Sequence, residues 1–206
     1  MKFDLHMHTT RHSPDSFMDP LVMVRRAREI GLDGVVITEH DWLWTEDELD
    51  ELRAAGPGLV VLAGVEVSTR QGHFLAYGVR DPSAIPRQIG VAELCCEMHR
   101  QGGAVVAAHP FRWGQRFADV LRHDRPELDG MELRTNNMDA DCRRRAAEVF
   151  ASHRLAGLGS SDAHSEDVLG VCYTAFAADI RNGCDLVRAI RERRATAHDR
   201  TAEAAG

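Results

Sequence analysis

Lys2-Phe3-Asp4-Leu5-His6-Met7-His8-Thr9 reads as a short apolar strand, Lys2 to Met7, that ends in two histidines. His6 and His8 are two residues apart, so on an extended backbone both imidazoles leave the same face. Two imidazoles on one face at a strand end make a chelating pair. The arrangement recurs along the chain. Gly34 to Thr38 runs into Glu39-His40-Asp41, Leu59 to Val67 carries Glu66 near its end, and His73 precedes Phe74 to Val79. Ala104 to Ala108 runs into His109-Pro110, and Ala156 to Gly159 into Ser160-Ser161-Asp162-Ala163-His164. In parallel α/β folds the C-terminal ends of strands share one rim, where loops build active sites. Carboxylates and imidazoles buried there need partners, and a metal supplies them.

Gly130 to Leu133 and Val171 to Phe176 complete the candidate strands, and amphipathic stretches lie between them. Asp19-Pro20 opens one helix as N-cap and first helical residue, and Gly31 stops it. Thr45, with Glu48 three residues on, has the spacing of a capping box for a helix to Ala55. Val91 to Gln101, Ala140 to Ser152 and Asp185 to Arg194 are further helices. This alternation predicts an α/β fold of parallel strands with helices outside, and the strand count favours a barrel-like sheet over an open one, although periodicity alone does not close a barrel. A single domain is expected over residues 1–194, with the Ala-rich, polar stretch 195–206 frayed.

Composition excludes other classes. The 206 residues carry 25 Lys+Arg and 32 Asp+Glu, a net charge of −7 that opposes holding long nucleic acid by bulk charge. No window approaches the roughly 20 apolar residues of a membrane helix. Five cysteines, an odd number with no CxxC spacing, fit a reduced compartment. A charge and a histidine stand where a signal peptide has its apolar run, so a cytoplasmic location is expected.

Taken in order, these motifs resemble those of the PHP (polymerase and histidinol phosphatase) superfamily of metal-dependent phosphoesterases. The resemblance rests on Asp4-Leu5-His6-Met7-His8-Thr9 with Ser13 and Asp15, Thr38-Glu39-His40-Asp41, and Gly64-Val65-Glu66-Val67-Ser68 with Gly72-His73. His109-Pro110 and Gly159-Ser160-Ser161-Asp162-Ala163-His164 complete it, from about Lys2 to Phe176. It implies a distorted (β/α)7 TIM-like barrel with two or three divalent metals at the C-terminal rim of the strands. The implied ligands are His6, His8, Asp15, His40, Glu66, His73, His109, Asp162 and His164. By the family pattern His6, His8, Glu66 and Asp162 hold the first metal. Glu66 bridges to a second that His73 and His109 complete, and Asp15, His40 and His164 hold a third. His12 is the alternative to Asp15, and Glu39 stands where the family more often has Asp, as a residue that orients a liganding imidazole.

Imidazole and carboxylate ligands suit Mn, Fe or Zn. Two such metals about 3.5–4 Å apart activate a bridging water and offset charge in an in-line displacement at phosphorus. Glu66 and Asp162 are therefore catalytic as well as liganding, with Asp41 or Glu39 as candidate proton donors to the leaving group. Arg112, just past His109-Pro110, is a candidate phosphate clamp, as are Arg134, Arg70 and the neighbouring Asn136 and Asn137. Trp42, Trp44 and Trp113 flank the motifs as stacking, roof or core residues. Arg143-Arg144-Arg145 reads as a solvated helix face. The expected activity is phosphomonoester hydrolysis of a nucleotide or another small phosphorylated metabolite, with no membrane and no long nucleic acid as partner. Histidinol-phosphate phosphatase, short-oligonucleotide nuclease, amidohydrolase-type C–N or ester hydrolase and a non-catalytic metal-binding module stay open as alternatives.

Overall fold

The computed structural model describes residues 1–203. Its strands are β1 (Lys2–Asp4), β2 (Gly34–Ile37), β3 (Val60–Thr69), β4 (Gly72–Tyr77), β5 (Ala104–Ala107), β6 (Gly130–Arg134), β7 (Ala156–Gly159), β8 (Cys172–Phe176) and β9 (Ala195–Asp199). They form one sheet in the order β7-β6-β5-β4-β3-β2-β1-β8-β9. Helices α1 (Pro20–Glu29), α2 (Glu46–Ala55), α3 (Val91–Gln101), α4 (Phe117–His123), α5 (Ala140–Ser152), α6 (Gly183–Arg191) and the short α7 (Arg200–Glu203) connect or follow them. The sheet curls into a distorted TIM-like barrel whose two ends meet. At that seam the Thr174 hydroxyl donates to Gly159 O at 2.7 Å and accepts from Gly159 N at 3.0 Å.

Local chemistry sets the elements. Strands β2, β5 and β7 (GVVI, AVVA and AGLG) are buried along their whole length, as expected of strands covered on both faces. Asp19 caps α1 by accepting from Leu21 N and Val22 N, and Thr45 with Glu48 forms the capping box of α2. Gly102, at φ 81°, ends α3 in the left-handed conformation.

Alternation along the strands sorts the core. Phe3, Val36, Leu62, Leu75, Tyr77, Val106 and Leu158 fill the barrel, closed at one end by Leu186, Val187 and Ile190 of α6. Val35, Ile37 and Val61 face outward against Met23, Val24, Leu49 and Leu52 of α1 and α2. Val65, Val67, Phe74, Val105 and Met131 meet α3 and α5.

Two expectations are corrected. The strands are not all parallel: β4 runs antiparallel to both β3 and β5, and β8 to both β1 and β9. Only Arg70 and Gln71 join β3 to β4, far too few for a crossover, so the pair must be a hairpin. The stretch from Ala195 is not frayed. Ala195–Asp199 pairs with β8 along its whole length, and Asp199 accepts from Arg143 Nη1 at 2.7 Å. Its sequence, Ala-Thr-Ala-His-Asp, has little β-propensity of its own, so neighbouring strands impose the conformation. The remainder of that stretch, 204–206, lies outside the described residues. No helix among the described residues is long and apolar enough to cross a membrane.

Candidate metal centre

Seven strand ends deliver polar side chains to one rim. His6 and His8 follow β1, His40 follows β2, Glu66 lies in β3, and His73 lies in β4. His109 follows β5, Glu132 lies in β6, and Asp162 and His164 follow β7. Isolated bridges Met7–Ala163 and His40–Glu66 extend the pairing beyond the named strands, so these loops are held in register. His109 (φ 27°) and Asp162 (φ 52°) sit in the left-handed region, a backbone strain common at functional sites.

The innermost group is His6, His8, Glu66 and Asp162, all buried. His6 Nε2 and His8 Nε2 are 3.2 Å apart. Glu66 Oε2 lies 3.4 Å from the first and 3.2 Å from the second, and Asp162 Oδ1 lies 3.2 and 3.3 Å away. Five of the six edges of this four-atom figure are thus nearly equal. Four donor atoms all within 4.8 Å of one another are close enough for one ion to bind them together. Glu66 Oε2 and Asp162 Oδ1 are buried and accept no well-oriented hydrogen bond. Two orphaned carboxylate oxygens facing two imidazole nitrogens are the donor set of a cation.

Two further groups adjoin it. The other oxygen of Glu66 lies 2.8 Å from His73 Nδ1 and 3.0 Å from His109 Nε2, so Glu66 spans two groups. His40 Nδ1 approaches Glu66 Oε2 at 2.9 Å while its Nε2 faces Asp15 Oδ2 at 3.2 Å. His164 Nε2 reaches the same Asp15 oxygen at 3.3 Å. All nine ligand positions named by the resemblance therefore converge. His12 does not join them: it pairs with Glu48 at 2.8 Å and stacks on Trp42.

The electrostatics match. Burial pushes the Glu66 carboxyl up, but His6, His109 and His40 around it hold it well below the usual range. Asp162 is likewise held low, against its burial, by His6 and His8. Burial opposes charge on the imidazoles too, yet the carboxylates raise His6 and His8 and take His40 to about 9. The carboxylates thus favour protons on these imidazoles in the metal-free cluster, and a divalent cation would take their place.

A supporting layer orients the ligands. Glu132, buried in β6, accepts from His6 Nδ1 at 3.0 Å and from His109 N at 2.5 Å, and it also accepts from the Ser160 hydroxyl. His8 Nδ1 donates to Ser13 Oγ at 3.2 Å, and Ser13 Oγ donates to Glu39 at 2.5 Å. Glu39 also accepts from Thr9 N, the Thr9 hydroxyl and Trp44 Nε1, so it orients His8 through Ser13. Asp4, pushed up to about 6 by burial, takes Ser161 N–H and Gly170 N–H and ties β1 to the Asp162 loop. The sequence reading missed Glu132. Its signal was a lone carboxylate inside the apolar strand Gly-Met-Glu-Leu.

The other candidates divide. Arg112 reaches the cluster, with Nη1 3.1 Å from Asp162 Oδ2, and borders a cavity of about 260 Å³ with His73, His109, Trp113 and Gln115. Asn137, not the exposed Asn136, donates to the same Asp162 oxygen at 2.6 Å. Arg134 folds back to Leu133 O and borders a groove with Phe150 and Ala195, and Arg70 binds Gln88 O and Glu93. Asp41 accepts Ser68 N–H at 2.7 Å and faces Arg87 at 3.4 Å. Glu39 takes four donors, from Thr9 N, the Thr9 hydroxyl, Ser13 and Trp44. Arg144 pairs with Asp141 and Glu148, and Arg145 lies over Phe111.

Residues 4–137 match the family model for the PHP domain, and residues 142–195 match that for the PHP-associated region. An uncharacterised protein of Methanocaldococcus jannaschii is 28% identical over 147 residues, covering 65% of this chain and 81% of that protein. A 5'-3' exoribonuclease of Haemophilus influenzae is 35% identical over 68 residues, 33% of this chain and 24% of that enzyme. Among solved structures, PsfC of Pseudomonas syringae superposes with a TM-score of 0.71 at 19% identity, covering 96% of this chain and 91% of that one. A Bifidobacterium adolescentis protein provisionally named a metal-dependent phosphoesterase superposes with a TM-score of 0.62 at 19% identity, covering 93% and 96%. At those identities the likeness speaks for the fold alone.

Proposed function

The chain belongs to the PHP family, and from that premise we propose that this metal-dependent hydrolase cleaves phosphomonoesters of small metabolites, nucleotides among them. His6, His8, Glu66 and Asp162 would hold one divalent ion, Glu66, His73 and His109 a second, and Asp15, His40 and His164 a third. Mn, Fe and Zn suit this donor set. When bound, such ions polarise a water and offset the charge that develops on phosphoryl oxygens.

The chain's own residues supply the rest. Glu132 and Ser13 hold His6 and His8 by their Nδ1 atoms, which turns both Nε2 atoms inward. Asn137 and Arg112 occupy one oxygen of Asp162 and so aim the other at the cluster. The observation that carries the reading is Arg112. One nitrogen of its guanidinium binds Asp162, while the side chain borders the cavity over His73 and His109. Its remaining donors would clamp a phosphate there. The free cysteines and the net charge of −7 support a cytoplasmic small-molecule role.

The test is inorganic phosphate release by the Mn-loaded protein from nucleoside monophosphates and bisphosphates, histidinol phosphate and sugar phosphates. Release that EDTA abolishes supports the reading. No release across the panel, with metal bound, overturns it. The stretch shared with the exoribonuclease favours a second reading, hydrolysis of the terminal diester of a short oligonucleotide. Mononucleotide production from a dinucleotide would select it.

A further inference from the structure

Three large apolar side chains are exposed among the described residues: Phe17, Trp42 and Trp113. Phe17 is two residues past Asp15, Trp42 two past His40, and Trp113 four past His109. A scatter of exposed apolar residues needs no explanation, but confinement to the rim loops does. Trp113 is the informative member. It borders the same cavity as His73, His109 and Arg112, yet it is 83% exposed. Arg112 lies over the ring with its guanidinium carbon 3.8 Å from the centroid, so one face of the indole is covered and the other is open.

The loop that holds Trp113 is built to hold it there. His109, Phe111, Trp113 and Gly114 all have positive φ, and three of the four are not glycine. Such strain persists only when the surroundings over-determine it. Here Gln115 anchors the loop by donating to Gln71 O at 3.0 Å across the β3–β4 turn. Gly72 makes room for it, since a Cβ at Gly72 would lie 1.8 Å from Gln115 Nε2. Phe111 is buried edge-on against Phe117. The anchored loop thus presents the indole beside the proposed phosphate clamp.

We infer that Trp113 is a specificity-determining residue that stacks the planar heteroaromatic ring, a nucleobase, of a phosphate ester whose phosphate sits at Arg112. The inference rests on the phosphoesterase reading above and narrows it to nucleotides. Indole faces bind bases by stacking whatever their hydrogen-bonding edges, so the preference is for the class of ring and not for one base.

The test compares wild type, Trp113→Ala and Trp113→Phe on AMP and on ribose 5-phosphate, each Mn-loaded. The expected result is that Trp113→Ala lowers the ratio of kcat/KM for AMP to that for ribose 5-phosphate by about 10-fold or more, chiefly through KM. Trp113→Phe should restore most of the ratio. An equal loss on both esters overturns the inference, because Trp113 would then act only by packing Arg112, and the phosphoesterase reading would stand. Intrinsic fluorescence gives a readout independent of turnover. AMP should quench the wild type, and ribose 5-phosphate should not, and Trp113→Phe should remove the AMP quench despite Trp42 and Trp44. If no monoester turns over, the phosphoesterase reading fails, and the quench still decides the platform. A quench lost in Trp113→Phe upholds it, and no quench overturns it.

Discussion

Glu132 Oε1 lies 3.0 Å from His6 Nδ1, joining residues 126 apart in a wholly buried contact. A carboxylate accepts only, so the imidazole keeps its proton on Nδ1 and would offer its Nε2 lone pair to a bound metal. Glu132→Ala should therefore lower metal affinity by about 10- to 100-fold, the usual effect of losing a carboxylate behind a liganding histidine. Glu132→Gln should fall between the two, because its amide keeps one acceptor but opposes a second donor. Chelator competition checks this, and wild-type affinity in Glu132→Ala would show that His6 is oriented by something else.

Proton balance gives a second expectation. In the metal-free protein the surrounding carboxylates favour protons on His6, His8 and His40, and take His40 to about 9. Metal binding must displace those protons, and the apparent affinity should climb as pH rises toward 9. The sign for stability follows from the same shifts. An imidazole raised in the folded state stabilises it fully below the unfolded value of 6.5, and the gain is lost as pH rises through about 9. The Tm of metal-free protein should fall across that window, and that of metal-loaded protein should fall less. Calorimetry in buffers of different ionisation enthalpy counts the released protons. A metal-free Tm that rises over the window would contradict this charge assignment.

Asp162 and Asp15 separate the groups. Asp162 is buried in the innermost set, whereas the Asp15 side chain is 55% exposed and pairs with His40 and His164. Asp162→Asn should reduce turnover by more than the ~100-fold typical of residues behind the ligands, with the fold intact. Asp15→Asn should remove one equivalent of metal and leave the rest bound. Elemental analysis beside circular dichroism distinguishes the two. An Asp15→Asn protein that loses all its metal would mean the three groups fill as a unit.

What the sequence made legible was local. His6 and His8 share a face because a strand alternates, and His109, Asp162 and His164 stand at strand ends that apolar runs mark out. Asp15 was reached only through the ordered resemblance, since nothing near it in the chain announces a ligand. The partners of Glu132 lie at His6, His109 and Ser160, at least 23 residues away, so only the closed barrel brings them together. Arg112 and Arg134 looked alike, each just past a strand. A bulge in the β6–β7 pairing at Glu132 and Arg134 accompanies the turn of the second away from the rim. The direction of β4 and the existence of β9 were invisible for a related reason. Periodicity reports which face is buried, not which neighbour a strand finds.

Barrel closure supplies the last test. A Cβ on Gly159 would lie 2.5 Å from Tyr173 O, 3.0 Å from His198 N and 3.1 Å from His198 O. All three are backbone atoms, so no rotamer change relieves the clash, and β7 must move from β8 and β9. Gly159→Ala should cost about 1–3 kcal/mol, as overpacking does. At about 2–4 °C per kcal/mol for a chain of this size, Tm should fall by roughly 2–12 °C. The displacement should also reach the metal centre, because Ser160 donates to Glu132 and Asp162 lies only three residues on. Metal affinity should drop together with Tm. Gly183→Ala is the control: nothing lies within 4 Å of a Cβ there and it opens α6, so Tm should hold or rise slightly. Equal Tm values for Gly159→Ala and wild type would mean that the seam between β7 and β9 is looser in solution than these contacts require.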